Sequence, residues 1–567
     1  MLNSRQKKAA FAISGNTIVS ASPGTGKTKT LIARAQKKLE SIPKYKSLAL
    51  ITYTNAAADE IDSRLNTDDK DIFIGTIHRF CLEFILRPFS WIYKWHKPKI
   101  ISYDELKEFV EINSDIELGD NPLDELSKIK RLLNGDIDCS NIDNIESWIY
   151  ISDLYFNFLK SKKAIDFNEI LFKSYKIISE NTFVAESIAN KFYEISIDEF
   201  QDTNIFQYEI LKTIHKASED CTFFMVGDEK QKIYAFAGAI ENAFHKASMD
   251  FNAKIENLDT TYRSTTNIVK GYSVLFEDHI ELQNESKYKD DDFDIVICET
   301  KNDNNNDYIA NVIAKLISNG KAELSDIAIL TMSWKDAYFI SKSLRQKYHV
   351  VGLGSLPHKS MNNSSFGLIR SLSKFLFSPS IINLRIIKRN FDSYSLENNI
   401  IFTEKELTYK INSLITSFKE LELTANLTKG LRSVKHIFDT IFSVNNSDIE
   451  EIINSVTDEE SVSWTIEKYF KTLAGIDGIT INTIHQAKGL EYNIVFLNGV
   501  SENRIPYQKF LERRGKEWIY ESLTEENLEN GRTLLYVGMS RAKAVLIITH
   551  NWKPSLFIPL IKKTKNA

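Results

Sequence analysis

The stretch that decides the fold of this chain is Ala21-Ser22-Pro23-Gly24-Thr25-Gly26-Lys27-Thr28. The short apolar run 18–21 leads into it, and a pattern with Leu31, Ala35 and Leu39 on one helical face follows it. A glycine-rich turn between a strand and a helix is typical of phosphate-binding loops, because backbone N–H groups and the helix N-terminus face the anion. The sequence therefore predicts a P-loop, although Ala21 stands where the general pattern opens with glycine.

The residues of this loop have predicted contacts with ATP. Gly24 and Gly26 let the backbone approach the phosphates, and Lys27 would reach the β- and γ-phosphates. The Thr28 hydroxyl is a predicted Mg²⁺ ligand. The predicted nucleotide-binding residues of the loop are Ser22, Pro23, Gly24, Thr25, Gly26, Lys27 and Thr28.

A second element, Ile195-Ser196-Ile197-Asp198-Glu199-Phe200-Gln201-Asp202, ends an apolar run in paired acids. Asp198 suits the metal of a nucleotide site, and Glu199 suits the base that activates the attacking water. Acids at the end of a strand are a weak signal alone, because exposed acids are common. Downstream of a P-loop the pair becomes a strong indication of ATP hydrolysis.

Short apolar runs alternate with helical patterns along the chain, which predicts parallel α/β sheets. The candidate strands are 17–21, 48–52, 192–197, 222–226, 294–298, 326–331, 478–483, 493–498 and 544–549. Two stretches break the alternation, and both are interpreted as mainly helical insertions. The predicted domains are a first lobe (1–82 and 164–256) with an insertion (83–163), and a second lobe (257–363 and 472–567) with an insertion (364–471).

Composition limits the class of protein without pointing to DNA. The chain has 567 residues, which is too long for one core, and a net charge of −5, so a nucleic-acid site would be a local groove. The four cysteines, Cys81, Cys139, Cys221 and Cys298, lack metal-ligand spacing and are expected to be reduced. With no apolar run of membrane-spanning length and no signal-peptide pattern at the N-terminus, we expect a cytoplasmic protein without a membrane partner.

Further segments, in the correct order, resemble the motifs of superfamily 1 helicases of the UvrD, Rep and PcrA type. The resemblance covers most of the chain. It rests on Gln6, on 52–60 (TYTNAAADE), 75–78 (GTIH), 166–169 (DFNE), 198–203 (DEFQDT), 227–234 (GDEKQKIY), 261–264 (TYRS), 483–491 (TIHQAKGLE) and 535–542 (LYVGMSRA). It implies two RecA-like P-loop NTPase lobes, ATP and Mg²⁺ as cofactors, and single-stranded DNA or single-strand/duplex junctions as partners.

The resemblance also implies roles for individual residues at the ATP site. Gln6 and Tyr262 would hold the adenine, Gln231 would sense the γ-phosphate, and Glu491 would touch the ribose. Arginine fingers from the second lobe would neutralise charge on the transferred phosphoryl group. The implied catalytic residues are Lys27, Glu199, Gln231, Arg263 and Arg541.

For DNA, the resemblance implies contacts from the first lobe. The candidates are Thr54, Asn55, Thr76 and His78, with Tyr234 and Phe236 as stacking platforms. Packing in the core is the alternative for the two aromatic residues. The aromatic and basic stretch 89–97 is a weaker candidate for the same reason, and His485 is either a coupling residue or a structural one.

Three departures from the family pattern bear on function. Ala237 stands where the family has arginine, Lys232 replaces a serine, and both insertions look short. The leading interpretation is an ATP-dependent DNA translocase or helicase with 3′-to-5′ polarity. The alternative is a DNA-sensing ATPase that works with a nuclease subunit, similar to the helicase-like component of the Gabija anti-phage system. A scaffold without catalytic activity is disfavoured, because the residues expected to bind phosphate, to bind the metal ion and to act as arginine fingers are all present.

Overall fold

The structure is a computed structural model. It describes residues 1–12, 15–65, 71–94, 99–116, 122–140, 144–233, 238–278, 281–291, 293, 295–300, 305–359, 363–514, 517–551 and 553–563.

Two six-stranded parallel sheets carry the fold. The strands are β1 Thr17–Ala21, β2 Ser47–Thr52, β3 Ile72–Thr76, β4 Lys99–Ile100, β5 Ala164–Ile165, β6 Phe192–Ile197, β7 Thr222–Gly227, β8 Lys254–Leu258, β9 Thr260–Thr261, β10 Gln283–Asn284, β11 Val296–Thr300, β12 Ile327–Thr331, β13 Val350–Val351, β14 Ile479–Thr483, β15 Tyr492–Leu497, β16 Phe510–Arg514, β17 Glu517–Tyr520 and β18 Ala542–Asn551. The first sheet has the order β3-β2-β6-β7-β1-β8, and the second has the order β11-β18-β15-β12-β14-β13.

Helices cover the faces of both sheets and form the regions between them. They are α1 Ser4–Lys7, α2 Lys27–Ser41, α3 Asn55–Arg64, α4 Ile77–Phe80, α5 Arg87–Phe89, α6 Tyr103–Ile112, α7 Pro122–Leu126, α8 Ile145–Ser161, α9 Phe167–Glu180, α10 Thr182–Lys191, α11 Ile205–Ala217, α12 Ala243–Asp250, α13 Thr266–Ser273, α14 Asn305–Ser318, α15 Trp334–Leu344, α16 Ser364–Phe377, α17 Ile381–Glu397, α18 Glu404–Lys419, α19 Leu427–Phe442, α20 Ser447–Ser455, α21 Asp458–Ser463, α22 Ile466–Ala474, α23 Glu525–Met539 and α24 Ile558–Lys563. Two π-helical turns, Lys8–Ala12 and Cys81–Leu86, extend α1 and α4.

The α/β fold of two RecA-like lobes is confirmed, and all nine predicted strands are present with small shifts at their ends. The largest shifts, of two residues, are at β11, predicted at 294–298 and found at Val296–Thr300, and at β18, predicted at 544–549 and found at Ala542–Asn551. The strand pattern missed two edge strands of the first sheet. β8 mixes charged and polar residues with apolar ones, and its only buried position is Leu258, so it lacks the apolar run on which the prediction relied; β3 ends in Gly-Thr.

The helices α16 to α20 and α22 pack around a core of their own, which includes Tyr394, Phe438, Trp464 and Tyr469. α6 and α8 contribute to a smaller core around Phe109. The boundaries predicted for the two insertions stay a proposal. The π-helical turn after α4 packs in the core of the first lobe beyond residue 83, and α22 runs through the proposed boundary at 471/472.

A buried ion pair joins the helix of the P-loop to the strand of the acid pair. Arg34 donates to both oxygens of Glu194, at 2.8 Å from Nε and 2.7 Å from Nη2, and each side chain is 1% exposed. Arg34 also lies over the ring of Phe224, 4.5 Å from its centroid. The pair therefore fixes α2 against β6. The P-loop lies at the N-terminal end of α2, and the acid pair follows the C-terminal end of β6.

Arg34→Ala is expected to lower the free energy of unfolding by about 3–5 kcal/mol, because it leaves the Glu194 carboxylate buried without its bidentate partner. Urea-induced unfolding of the whole chain measures the effect. The matched control is Lys37→Ala, which breaks the exposed ion pair with Glu40 on the same helix and should cost less than about 1 kcal/mol. Equal losses in the two variants would contradict the structural role of the buried pair.

Candidate active site between the lobes

The P-loop is packed tightly, and its glycines are required by that packing. Gly24 and Gly26 have φ of 75° and 83°, in the left-handed region that glycine favours. A Cβ atom on Gly24 would lie 2.6 Å from the Cβ of Arg263, and one on Gly26 would lie 2.5 Å from Nε2 of Gln6. The loop is thus held between the N-terminal segment and the start of the second lobe.

Lys27 presents a buried ammonium group at this loop. Its Nζ has no hydrogen-bond partner among the residues that the structure describes, and the carboxylate of Glu199 lies 3.6 Å away. A buried ammonium without hydrogen bonds is costly unless an anion completes its shell. The site therefore fits a phosphate group beside Lys27.

The acid pair lies at the carboxyl end of β6, facing the P-loop. Asp198 is buried, and its backbone N–H donates to Ile51 O. Burial and the neighbouring Glu199 carboxylate raise the pKa of Asp198. Burial by itself would raise the pKa of Glu199 as well, but the ammonium groups of Lys27 and Lys488 lower it. Glu199 is thus held as a carboxylate, as a proton acceptor requires.

The oxygen ligands at this site fit Mg²⁺, which prefers carboxylate and hydroxyl oxygens beside phosphates. Thr28 is the second residue of α2, directly after Lys27, and is partly exposed; Asp198 is a buried carboxylate next to Glu199, which lies 3.6 Å from Lys27. These two residues would hold the ion.

Gln231 is 1% exposed, and its side chain links the two lobes. Its Nε2 donates to Oδ2 of Asp228 at 2.7 Å. Its Oε1 accepts a hydrogen bond of 2.9 Å from Nη2 of Arg541, a residue of the second lobe. The predicted γ-phosphate sensor therefore touches one of the predicted arginine fingers directly.

Arg541 is buried between the lobes, and its other hydrogen bonds go to neutral oxygens. Nε donates to Val537 O at 2.9 Å, and Nη1 donates to Leu490 O at 3.3 Å. No carboxylate forms an ion pair with it within the described part of the chain. Burial and the nearby Arg263 lower the pKa of Arg541 to about 9. The guanidinium is an incompletely balanced positive charge beside the phosphate site.

Arg263 and Glu491 form the outer wall of the cleft. Nε of Arg263 donates to Oε2 of Glu491 at 2.8 Å, and Nη1 donates to Ser540 O at 3.0 Å. Lys543 binds the other oxygen of Glu491 at 2.8 Å. Arg263 is thus engaged with a carboxylate through Nε and with a backbone carbonyl through Nη1.

Gln6 and Tyr262 lie together at the outer end of the P-loop. The amide of Gln6 donates from Nε2 to Thr25 O at 2.8 Å and accepts from the backbone N–H of Asn3 at 2.9 Å. Asn3 also donates to the hydroxyl of Tyr262 at 2.8 Å, and the Tyr262 ring is 41% exposed. The exposed ring is free to stack on a base, whereas one edge of the Gln6 amide is occupied by the loop.

Three buried side chains of this cleft, those of Lys488, Asp202 and Gln201, lie within the motifs 483–491 and 198–203, but the sequence predicted no role for them. Lys488 forms an ion pair with Asp202 across the lobes and donates to Gln231 O at 2.9 Å. Gln201, 0% exposed, donates to Oε2 of Glu199 at 2.6 Å. Their place inside the motifs was the only available signal, and the partners of Lys488, Asp202 and Gln231, lie 286 and 257 positions away in the sequence.

The candidate DNA residues follow β2 and β3, which lie beside the strands of the nucleotide site in the sheet order. Thr54 and Thr76 cap α3 and α4, accepting hydrogen bonds from Ala57 N at 3.2 Å and Arg79 N at 3.4 Å. Asn55, the first residue of α3, is partly exposed. Burial lowers the pKa of His78 to about 4, so the ring is neutral at physiological pH.

Several earlier predictions lie outside the described residues. They concern Tyr234 and Phe236 as stacking platforms, the departure at Ala237, and residues 95–97 of the aromatic and basic stretch. Lys232, which is described, donates to Ile240 O at 2.9 Å. Burial lowers the pKa of His485, which also interacts with the backbone of Ile233.

Fold and site together define a P-loop protein of two RecA-like lobes in which an arginine of the second lobe, Arg541, reaches Gln231 of the first. The UvrD/REP helicase N-terminal domain matches residues 2–252, and the UvrD-like helicase C-terminal domain matches residues 377–553. The two matches take in most of the chain, which belongs to the UvrD-like family of superfamily 1 DNA helicases.

Individual relatives agree with this assignment. The ATP-dependent DNA helicase PcrA of Bacillus subtilis is 25% identical over 632 residues, covering 98% of this chain and 83% of the relative. DNA helicase II of Rickettsia typhi is 25% identical over 638 residues, covering 99% and 93%. ATP-dependent DNA helicase Rep of Buchnera aphidicola subsp. Baizongia pistaciae is 24% identical over 665 residues, covering 98% and 94%.

Within the described residues, no helix combines the length and the apolar character needed to cross a membrane.

Proposed function

We propose that this chain couples ATP hydrolysis to movement along single-stranded DNA, with 3′-to-5′ polarity, as a translocase and helicase. One observation carries the proposal: Arg541 of the second lobe reaches Gln231 of the first, beside the unsatisfied ammonium of Lys27. A site completed by both lobes responds to their relative position. Nucleotide turnover is thereby coupled to opening and closing of the cleft.

The side chains divide the chemistry among them. Water attacks the γ-phosphorus as the bond to the β,γ-bridging oxygen breaks, and Glu199 accepts the proton of that water. Lys27 neutralises the phosphate oxygens, and Arg263 and Arg541 stabilise the charge that develops on the transferred group. Thr28 and Asp198 would hold Mg²⁺, which would supply further charge neutralisation.

The DNA path follows from the order of the first sheet. The carboxyl ends of parallel strands share one edge, so Thr54, Asn55, Thr76 and His78 lie next to the nucleotide site along that edge. Contacts with the sugar–phosphate backbone through hydroxyl, amide and neutral imidazole groups carry little sequence information. The proposed substrate is therefore single-stranded DNA of any sequence.

Single-stranded DNA is expected to raise the ATPase rate severalfold, and its binding is expected to weaken with salt. Each phosphate contacted should contribute roughly −0.7 to the slope of log affinity against log salt concentration. Steady-state ATPase assays and fluorescence anisotropy from 50 to 200 mM salt measure the two effects, with Glu199→Gln as the control for contaminating ATPases. A rate that is indifferent to DNA would contradict the proposal.

Polarity is tested separately from turnover. Duplexes with either a 3′ or a 5′ single-stranded tail are compared in a strand-displacement assay at saturating ATP. The proposal requires displacement that depends on the 3′ tail. Preference for the 5′ tail would overturn the polarity and leave DNA-coupled hydrolysis intact.

The second candidate is a DNA-sensing ATPase that serves a nuclease subunit, as in a Gabija-like anti-phage complex, and unwinds weakly alone. The match to PcrA supports this second candidate. The alignment extends over 632 positions and covers 98% of this chain, which has only 567 residues, so the alignment must contain gaps on the side of this chain. The relative therefore carries extra residues inside the matched stretch, in agreement with shortened insertions. Processive unwinding of a long duplex by the isolated chain, with no nuclease recovered from host extracts, would exclude this candidate.

A further inference from the structure

The carboxylate of Glu199 has two competing partners in the cleft. Lys27 lies 3.6 Å from Oε2, and Gln201 donates from Nε2 to the same oxygen at 2.6 Å. The backbone of Glu199 has φ of 53°, so its side chain leaves the strand end in an unusual direction. With flexible side-chain torsions and a cation nearby, the carboxylate needs a fixed partner to keep one orientation.

Gln201 is itself fixed at its other end. Its Oε1 accepts a hydrogen bond of 2.9 Å from the backbone N–H of Asp228, at the end of β7. The two partners determine the orientation of the amide, because a carboxylate can only accept and a backbone N–H can only donate. Gln201 is 0% exposed, so its amide group is shielded from bulk solvent.

Gly227 allows this bridge to form. A Cβ atom at position 227 would lie 2.2 Å from Oε1 of Gln201 and 3.1 Å from the backbone N of Phe200. Any side chain at Gly227 would therefore displace the Gln201 amide. Gly227 is therefore required by the packing of the Gln201 amide, in addition to its place in the motif 227–234.

The bridge continues to the second lobe. Asp228 accepts from Gln231 at 2.7 Å, and Gln231 accepts from Arg541 at 2.9 Å. A series of hydrogen bonds therefore runs from Glu199 through Gln201, the backbone N–H and the side chain of Asp228, and Gln231 to Arg541. Such a series orients its two ends relative to each other.

We propose that Gln201 is a positioning residue: it holds one oxygen of Glu199 against the end of β7 and leaves the other oxygen for the attacking water. The inference rests on the proposed function, in which Glu199 is the base. Without the Gln201 amide, Glu199 moves towards Lys27. The base is then misplaced for the attacking water.

The first test is Gln201→Met, which keeps the volume of the side chain and removes both hydrogen bonds. The kcat for ATP should fall on the order of 10- to 100-fold, the usual effect of losing a supporting partner. The KM for ATP should change by less than about threefold, because Gln201 does not touch the nucleotide. Gln201→Glu keeps the acceptor for Asp228 N–H but repels Glu199, and its kcat should fall at least as far.

A double-mutant cycle separates positioning from general damage. Gln201→Met should have no further effect in the Glu199→Gln background, because the residue acts through the base. Gly227→Ala displaces the Gln201 amide and so releases the Glu199 carboxylate without changing Gln201 itself. It should reproduce the loss of kcat. The matched control is Gln207→Ala, which removes the side chain that closes the capping box of α11 and should leave kcat unchanged.

The outcomes distinguish this inference from the proposed function. Full hydrolysis by Glu199→Gln would overturn the assignment of the base and the inference with it. Loss of hydrolysis in Glu199→Gln together with wild-type kcat in Gln201→Met would overturn the inference alone. The inference would also be overturned if Gln201→Met lowered kcat by the same factor in the wild-type and Glu199→Gln backgrounds. A loss of kcat in the control Gln207→Ala as large as that in Gln201→Met would overturn it too. If Gln201→Met does not fold, Gln201→Glu and Gly227→Ala decide the question.

Discussion

Arg541→Ala is expected to lower ATP turnover by about 10³-fold or more while nucleotide affinity changes only modestly. The physical reason is the state of the guanidinium. It is buried, it is bonded to neutral oxygens, and its charge is unmatched by an ion pair within the described residues. Charge of this kind interacts most strongly with the phosphoryl group when negative charge develops on it, in the transition state.

The measurements are kcat and KM for ATP, together with the dissociation constant of a fluorescent nucleotide. Arg541→Lys keeps the charge but loses the fork that holds Val537 O and Gln231 together, so it should recover only part of the rate. Arg504→Ala is the matched control, because that arginine pairs with Asp336 at an exposed position. Losses of affinity as large as the loss of turnover would argue against a finger role.

Glu199→Gln and Lys27→Ala are expected to separate hydrolysis from binding. Glu199→Gln removes the proton acceptor and should lower kcat by about 10²–10⁴-fold with nucleotide still bound. Lys27→Ala removes the ammonium beside the phosphates and should weaken nucleotide binding as well as turnover. The two residues are 3.6 Å apart, so Glu199→Gln also frees Lys27 from its carboxylate, which should keep or tighten affinity.

Isothermal titration with a non-hydrolysable ATP analogue measures binding, and phosphate release measures turnover. Melting temperatures of both variants serve as the control for folding. Hydrolysis by Glu199→Gln at the wild-type rate would show that another group accepts the proton. Wild-type affinity in Lys27→Ala would show that the P-loop holds phosphate through its backbone alone.

The sequence by itself determined the fold class and the first half of the ATP site. The loop 21–28 and the acids after β6 are local patterns, because strand, turn and helix propensities act over a few neighbouring residues. Parallel strands buried on both faces also read as continuous apolar runs, which is why all nine predicted strands are found. The arginines of the second lobe were predicted only through motif resemblance, since nothing local links position 541 to position 231.

The tertiary structure decided how the halves of the site meet. Which carboxylate pairs with which cation depended on tertiary packing: Lys27 with Glu199 within the first lobe, Arg263 with Glu491 within the second, and Lys488 with Asp202 between the lobes. The Gln201 bridge depends on the close approach of β7, where Gly227 leaves room for an amide. The edge strands β3 and β8 were likewise identified only by their pairing with neighbouring strands in the folded sheet, because the sequence pattern did not predict them. Hydrogen bonds and ion pairs between residues hundreds of positions apart leave no periodic trace in a single sequence, because they depend on distances that only the folded chain sets.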